Sequence, residues 1–196
     1  MNELFKKRLD FIIEADKMKN IQRQTLLADS SRRENDAEHT FHFALAAMTF
    51  FDHCVIPGVD INRVVRMALV HDLVEIYAGD TYCYDVAASE TQEEREKEAA
   101  DKVFGMLPPE QGAEYRALWE EFDRRDTPDS KYAAAIDRIQ PFINNTLTEG
   151  HTWKLGGVSV AQVYKRMAPI KEATPDLWEY VEENIKAAVE KGWIKP

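Results

Sequence analysis

Helical periodicity along almost the whole sequence is the feature that most constrains this fold. Apolar residues recur at helical spacing in successive segments, and most of the eight Gly and eight Pro fall between those segments. No alternating apolar and polar stretch is longer than a few residues. The pattern predicts an all-α fold in which residues 1–196 form one helical bundle. The predicted helices lie at about 2–18, 36–54, 60–78, 90–106, 110–124, 129–149, 158–168 and 175–190.

The charge balance disfavours several functional classes. The chain has 25 Lys and Arg against 35 Asp and Glu, a formal net charge of −10. Such a field repels polyanions, so we expect no binding to polymeric nucleic acid or to a membrane. No apolar stretch approaches the roughly 20 residues that cross a bilayer, and the N-terminus lacks signal-peptide features. Cys54 and Cys83 are too few for a disulfide framework, so we expect a reducing, cytoplasmic setting.

One predicted helix, 60–78, places ionisable side chains on its apolar face. At about 100° per residue, Asp72 falls in the middle of the apolar stripe, Glu75 lies within it and His71 lies at its edge. An unpaired buried carboxylate is costly or takes up a proton, so these side chains require a compensating group. The stripe itself consists of Ile61, Val64, Val65, Ala68 and Ile76.

Two kinds of group could compensate these charges. A divalent cation does so most directly, because it turns buried carboxylates and imidazoles into ligands. The alternative is a buried salt-bridge network that uses Arg33 or Lys131. The helix by itself leaves both interpretations open.

Two further segments carry residues that fit a metal site. His39 opens a predicted apolar helix, where a lone histidine is often a satisfied core residue instead. Asp137 lies at the edge of the apolar stripe of a later helix. Pro141 has no N–H for the Asp137 carbonyl four residues earlier, so we expect a local kink there. An exposed Asp137 beside Arg138 is the alternative interpretation.

The order of the candidate ligands resembles the H…HD…D signature of the HD-domain metal-dependent phosphohydrolases. The stretch RQTLLADSSRRENDAEHTFHFAL resembles the opening of one branch of that family, and HDLVEIYAGD resembles its HD helix. The order of segments over residues 5–150 is similar to that of the HD-domain 5′-deoxynucleotidases. The signature positions are His39, His71, Asp72 and Asp137.

The resemblance implies a single-domain, HD-type helical bundle that holds one divalent metal. Its ligands would be His39, His71, Asp72 and Asp137. Two imidazoles and two carboxylates suit Mn²⁺, Fe²⁺, Co²⁺, Ni²⁺ or Zn²⁺ better than Ca²⁺, and the sequence does not choose among them. No Cys belongs to the motif, which disfavours a structural zinc site.

The resemblance also implies the reaction, a hydrolysis of nucleoside 5′-monophosphates or similar small phosphate esters. In this hypothesis a metal-activated water attacks phosphorus, and Asp72 belongs to the catalytic centre as a ligand. Glu75 follows Asp72 by three residues and is the expected general acid/base. The alternative role for Glu75 is to orient a ligand imidazole.

Five residues are candidate substrate contacts. Arg23 corresponds to a phosphate-binding arginine of the nucleotidases, and Asp80 to a carboxylate near their substrate. Gln24 stands where those enzymes have a tryptophan, so the preference for deoxyribose over ribose is open. Arg33 could add positive potential or pair on the surface, and His42 could line the pocket or the core.

The sequence leaves three other functions open. They are hydrolysis of another nucleotide phosphate, a di-iron oxygenase of HD type, and a non-catalytic nucleotide-binding protein. Residues 73–136 contain no His, which disfavours the oxygenase because it needs extra histidines there. The apolar surplus also allows a homodimer.

Overall fold

The structure, a computed structural model, describes residues 2–196 apart from the side chains of residues 86 and 89. Helices dominate it, which confirms the predicted all-α class. A hairpin of strands β1 (Gln22–Leu26) and β2 (Arg33–Asn35) and two 3₁₀ turns, Asp16–Asn20 and Phe51–His53, complete the architecture. The helices are α1 (Glu3–Ala15), α2 (Asp36–Thr49), α3 (Ile61–Val70), α4 (Glu75–Ala78), α5 (Val86–Ser89), α6 (Gln92–Phe104), α7 (Pro109–Arg124), α8 (Pro128–Leu147), α9 (His151–Gly156), α10 (Val160–Ala173) and α11 (Pro175–Glu190).

Helix α8 lies at the centre of the fold. It packs against α2, α3, α7 and α10, and its Tyr132, Ile136 and Ile139 are fully buried. The Tyr132 hydroxyl donates to the Ala47 carbonyl at 2.8 Å, which ties α8 to α2. The same packing brings the Asp137 carboxylate of α8 close to α2 and to the end of α3. Helix α8 continues through Pro141, and the kink expected there stays a prediction.

The prediction of one continuous helix over 60–78 is wrong. Helix α3 ends at Val70, and α4 begins only at Glu75. Between them the backbone bonds join residues three apart, from Leu73 N to the Val70 carbonyl and from Glu75 N to the Asp72 carbonyl at 2.9 Å. Such tight turns eclipse side chains three residues apart, so Asp72 and Glu75 share one side of the chain.

The β-hairpin and α9 were not predicted. The strands have five and three residues, and their polar sequences show little alternation. The hairpin precedes α2 directly, and the Asp36 N–H donates to the Ile21 carbonyl at 3.2 Å. Within residues 2–196, no helix is both long enough and apolar enough to span a membrane.

Candidate metal centre and substrate cavity

The four candidate metal ligands meet at one point. The imidazole Nε2 of His39, on α2, lies 3.1 Å from Asp137 Oδ1 on α8 and 3.8 Å from Asp72 Oδ2. In the turn after α3, His71 Nε2 lies 3.0 Å from Asp72 Oδ1 and 3.9 Å from Asp137 Oδ1. Three separate parts of the chain therefore place two imidazoles and two carboxylates together.

In each imidazole, the hydrogen bond made by Nδ1 determines that Nε2 is the nitrogen free to bind a metal. His71 Nδ1 donates to the Ala68 carbonyl at 2.8 Å, so in the neutral ring Nε2 keeps its lone pair. That Nε2 is buried and has no hydrogen-bond partner among the described residues. His39 Nδ1 likewise faces Gln140 Oε1 at 2.8 Å, and its Nε2 faces carboxylate oxygen. Lone pairs that converge on carboxylates need a cation, so the donor set fits a divalent metal.

A buried chain of hydrogen bonds holds the His39 ring. Gln140 Nε2 donates to Glu34 Oε1 at 2.7 Å, which leaves Gln140 Oε1 to accept from His39. Glu34 comes from β2 and is almost completely buried. Such partners fix the tautomer and orientation of a ligating imidazole. Neither Glu34 nor Gln140 was predicted, because the two lie more than 100 residues apart in the chain.

The ligand carboxylates are held in the ionised form. Burial alone would raise the pKa of Asp72, but His71 and Arg23 outweigh it and place that pKa below its ordinary range. Burial acts in the same direction on Asp137, and His39 and Arg166 bring its pKa below the ordinary range. Both groups are therefore available as anionic ligands at neutral pH.

A second group of carboxylates lies beside Asp72. Oxygens of Asp36, Glu75 and Asp80 lie within 4.8 Å of one another, close enough to share a proton or to hold a cation. Burial and the Asp72 carboxylate raise the pKa of Asp36 to about 6. The same two causes raise the pKa of Glu75 well above its ordinary range. Burial and the neighbouring carboxylates therefore favour the protonated form of Glu75.

Arg23 connects the two groups of carboxylates. Its Nη1 donates to Asp72 Oδ2 at 2.8 Å and to Asp36 Oδ1 at 3.2 Å, and it lies 3.9 Å from Asp80 Oδ1. β1 carries both Arg23 and Gln24, and both residues line a cavity of about 260 Å³. Several predicted site residues line the same cavity, namely His71, Asp72, Glu75, Asp80 and Asp137.

Two predicted substrate contacts lie elsewhere. Arg33 is exposed and does not line the cavity. His42 is also exposed, contacts Gln140 Nε2 through its Nδ1 at 3.1 Å, and lines a separate apolar groove. The alternative in which Arg33 or Lys131 neutralises the buried charges does not fit the structure either, because both side chains are exposed.

Three arginines that were not predicted as site residues line the cavity. Arg138 follows Asp137 on α8, Arg125 follows the end of α7, and Arg166 lies on α10. Arg166 Nη2 lies 3.7 Å from Asp137 Oδ2. No motif marks Arg166 in the sequence, since the resemblance ends near residue 150. Only the packing of α10 against α8 brings it to the cavity.

Comparisons with known proteins show the family of this chain and its fold. The sequence model of the HD domain family matches residues 15–178. A protein of Magnetospirillum magnetotacticum MS-1, named a predicted metal-dependent phosphohydrolase, is 47% identical with a TM-score of 0.93, covering 98% of this chain and 96% of that one. An HD-domain phosphohydrolase of Listeria innocua, 18% identical, shares the fold with a TM-score of 0.66 over 94% of this chain and 92% of its own.

Curated relatives match a smaller part of the chain. The human 5′-deoxynucleotidase HDDC2 is 30% identical over 109 residues, which are 56% of this chain and 52% of the human protein. The 5′-deoxynucleotidase hdd1 of Schizosaccharomyces pombe is 26% identical over 111 residues, 55% of this chain and 54% of its own. The chain thus spans about half the length of the curated relatives it matches. The match over residues 15–178 shows that the chain belongs to the HD domain family.

Proposed function

We propose that this protein is a metal-dependent phosphohydrolase that acts on nucleoside 5′-monophosphates or similar small phosphate esters. The observation that carries the proposal is the unpartnered, buried Nε2 of His71, which converges with His39, Asp72 and Asp137 at the edge of a cavity. The similarity to named phosphohydrolases and 5′-deoxynucleotidases supports the same class of reaction.

The proposed cofactor is one divalent transition metal held by His39, His71, Asp72 and Asp137. Two nitrogens and two oxygens suit Mn²⁺, Fe²⁺, Co²⁺, Ni²⁺ or Zn²⁺. When bound, such an ion lowers the pKa of a water and neutralises charge on a phosphoryl group.

Arg23 is the proposed phosphate-binding residue. Its guanidinium is held by the Asp72 and Asp36 carboxylates, so its position is set before substrate arrives. A guanidinium can donate two parallel hydrogen bonds to a phosphoryl group. Beside it, Gln24 and Asp80 offer hydrogen bonds to the rest of the substrate.

Glu75 is the proposed general acid/base. Its Oε2 is buried and has no hydrogen-bond partner among the described residues, and the side chain lines the cavity. A buried carboxyl whose pKa is raised in this way can hold a proton and donate it to the leaving 5′-oxygen of the ester. The carboxylate so formed can then accept a proton from water, and Asp36, whose carboxylate oxygen lies within 4.8 Å of that of Glu75, can share that proton.

A panel of ribo- and deoxyribonucleoside monophosphates tests the proposal. We expect phosphate release with added Mn²⁺, Co²⁺ or Ni²⁺, and close to one metal ion per chain in the purified protein. Asp72→Ala should lose both metal and turnover, whereas Asp52→Ala, which removes an exposed carboxylate, should keep both. Full metal content and full turnover in Asp72→Ala would contradict the site assignment.

The same panel tests the other functions. Two irons per chain without phosphate release would favour the di-iron oxygenase. Nucleotide binding without turnover would favour the non-catalytic protein.

A further inference from the structure

Carboxylates predominate on one side of the cavity, and guanidinium groups predominate on the other. On one side Arg23 lies within 4 Å of three carboxylates, those of Asp36, Asp72 and Asp80. Glu75 lies in the same group, so carboxylates outnumber the single guanidinium there. An anion that approaches this side meets negative charge around Arg23.

The other side carries the three arginines Arg125, Arg138 and Arg166, here called the arginine cluster. Among the side chains that the structure describes, Asp137 is the single carboxylate within 4 Å of a nitrogen of this cluster. Asp137 Oδ1 faces His39 at 3.1 Å, so this carboxylate is shared with the metal-ligand group. The cluster therefore has an excess of positive charge next to the proposed reaction centre.

Arg138 is a buried arginine with an unsatisfied hydrogen-bond donor. It is only 6% exposed, and its Nη1 donates to the Ala134 carbonyl of its own helix at 2.7 Å. Its buried Nε has no hydrogen-bond partner in the part of the chain that the structure describes. A buried guanidinium donor without an acceptor is destabilising, and arginine neighbours add repulsion. A bound anion would remove both costs.

We propose that the arginine cluster binds a second phosphoryl group of the substrate, so the favoured substrate is a doubly phosphorylated nucleotide. The proposal rests on the proposed phosphohydrolase function and names its substrate class. Guanidinium groups match the geometry of phosphoryl oxygens and bind them with charge-assisted hydrogen bonds. The second phosphoryl group lies on the Asp137 side of the metal-ligand group, and Arg23 contacts the group to be cleaved on the Asp72 side.

Anion binding tests the cluster without reference to turnover. The probes are inorganic phosphate and pyrophosphate, titrated calorimetrically into the metal-loaded protein and its variants. We expect Arg166→Gln to weaken pyrophosphate binding at least about tenfold, the loss typical of one charge-assisted hydrogen bond. Lys165→Gln is the matched control, because it removes an exposed positive charge from the neighbouring position on α10. Equal pyrophosphate affinity in the two variants overturns the proposal.

Arg138→Gln should show the same loss. Because Arg138 is buried, its thermal unfolding is measured alongside, and Arg166→Gln decides the result if the Arg138 variant does not fold. Arg166 is partly exposed, so we expect its replacement to disturb folding less.

Steady-state kinetics tests whether the phosphoryl group bound by the arginine cluster belongs to the substrate. For wild type we expect kcat/KM for release of the 5′-phosphate to be higher with adenosine 3′,5′-bisphosphate than with adenosine 5′-monophosphate. That ratio should fall about tenfold in Arg166→Gln and stay constant in Lys165→Gln. A ratio that is the same in both variants overturns the proposal, even if Arg166 contributes to binding of free phosphate.

Failure of catalysis and failure of anion binding can be told apart. If no phosphate ester is hydrolysed by wild type, the proposed function is wrong, and the pyrophosphate titration still decides whether the cluster binds phosphoryl groups. If monophosphates are hydrolysed but Arg166 affects neither pyrophosphate binding nor the ratio, the function stands and the cluster is not a phosphoryl site.

Discussion

The pKa values of Glu75 and its neighbour Asp72 are shifted in opposite directions. Burial raises the pKa of Glu75, and the nearby Asp72 and Asp36 carboxylates raise it further, whereas the pKa of Asp72 is lowered. Pairs of carboxyl groups with opposite shifts are a common arrangement for acid and base roles. The local reason is the tight turn of residues 71–74, which puts Asp72 and Glu75 on the same side of the chain.

Replacing Glu75 should therefore slow the chemical step more than it weakens metal binding. Glu75→Gln keeps the size of the side chain but cannot exchange a proton, so we expect kcat to fall by about 10²- to 10⁴-fold. The metal content, measured by elemental analysis, should stay near that of wild type. Glu98→Gln, an exposed site on α6, is the control. An unchanged kcat would leave Glu75 with an orienting role only.

Asp36 predicts a pH dependence of stability in protein that is kept free of divalent cations. Its pKa is raised by burial from 3.8 to about 6, so protonation favours the folded state. The stabilisation is fully present below pH 3.8 and is lost as the pH rises through about 6. At about 1.4 kcal/mol per pKa unit, the loss is at most about 3 kcal/mol.

Urea denaturation between pH 4 and pH 8 measures this effect. The free energy of unfolding should decline less steeply in Asp36→Asn than in wild type over this range, because the asparagine does not titrate. Parallel pH profiles for the two proteins would show that Asp36 does not carry the proton.

At the scale of elements, the start of α2 holds two site residues in its first turn. The Asn35 side chain accepts from the Glu38 N–H at 3.0 Å, and the Glu38 carboxylate accepts from the Asn35 N–H at 3.1 Å. This capping box, which the sequence N-D-A-E permits, sets where the helix begins. The positions of Asp36 and His39 follow from that start.

Loss of the cap should affect both stability and metal binding. Asn35→Ala should lower the free energy of unfolding by about 1 kcal/mol and weaken metal affinity, because His39 moves with the frayed turn. Asn2→Ala is the matched control, since Asn2 caps α1 far from the cavity. Equal metal affinity in the two variants, measured by competition with a chelator, would contradict this role of the cap.

Helix periodicity was a good guide to the elements but not to their interruptions. A uniform 100° step per residue treats 60–78 as one helix, and it places Glu75 correctly among buried residues. The periodicity cannot show that backbone hydrogen bonds after Val70 join residues three apart instead of four. That change depends on neighbours outside the segment.

At the scale of the whole molecule, α1 leaves an apolar stripe exposed. Phe5, Leu9, Ile12 and Ile13 are each more than 40% exposed and follow one another at helical spacing. The same stripe on a second copy can pack against it across a two-fold axis. We therefore predict a homodimer with about twice the chain mass of 22.6 kDa in sedimentation equilibrium. Ile12→Glu should sediment as a monomer, and a monomeric wild type would contradict the prediction.

We also propose that residues 1–196 form one domain, as the sequence predicts. The buried apolar residues, from Phe11 on α1 to Ile194, form one hydrophobic cluster. We expect a single cooperative thermal transition whose calorimetric and van't Hoff enthalpies agree. Two separate transitions would contradict this.

The overall charge of −10 does not decide which ligand the cavity accepts. The negative net charge of the whole protein still repels polyanions, so it disfavours binding to polymeric nucleic acid. Inside the cavity, however, the arginine cluster places three guanidinium groups in the lining, and Arg166 lies 3.7 Å from the proposed metal ligand Asp137. The proposed small phosphorylated substrate would meet this local charge.

The sequence by itself determined the helical class and the four candidate ligands, because these depend on local periodicity and on a short motif around His39, His71, Asp72 and Asp137. Only the tertiary structure decided what surrounds them. Glu34 reaches His39 through Gln140, and Arg166 reaches Asp137 from α10, across gaps in the sequence that no local pattern spans. The physical reason is that burial, pKa and hydrogen-bond partners are set by packing between distant segments.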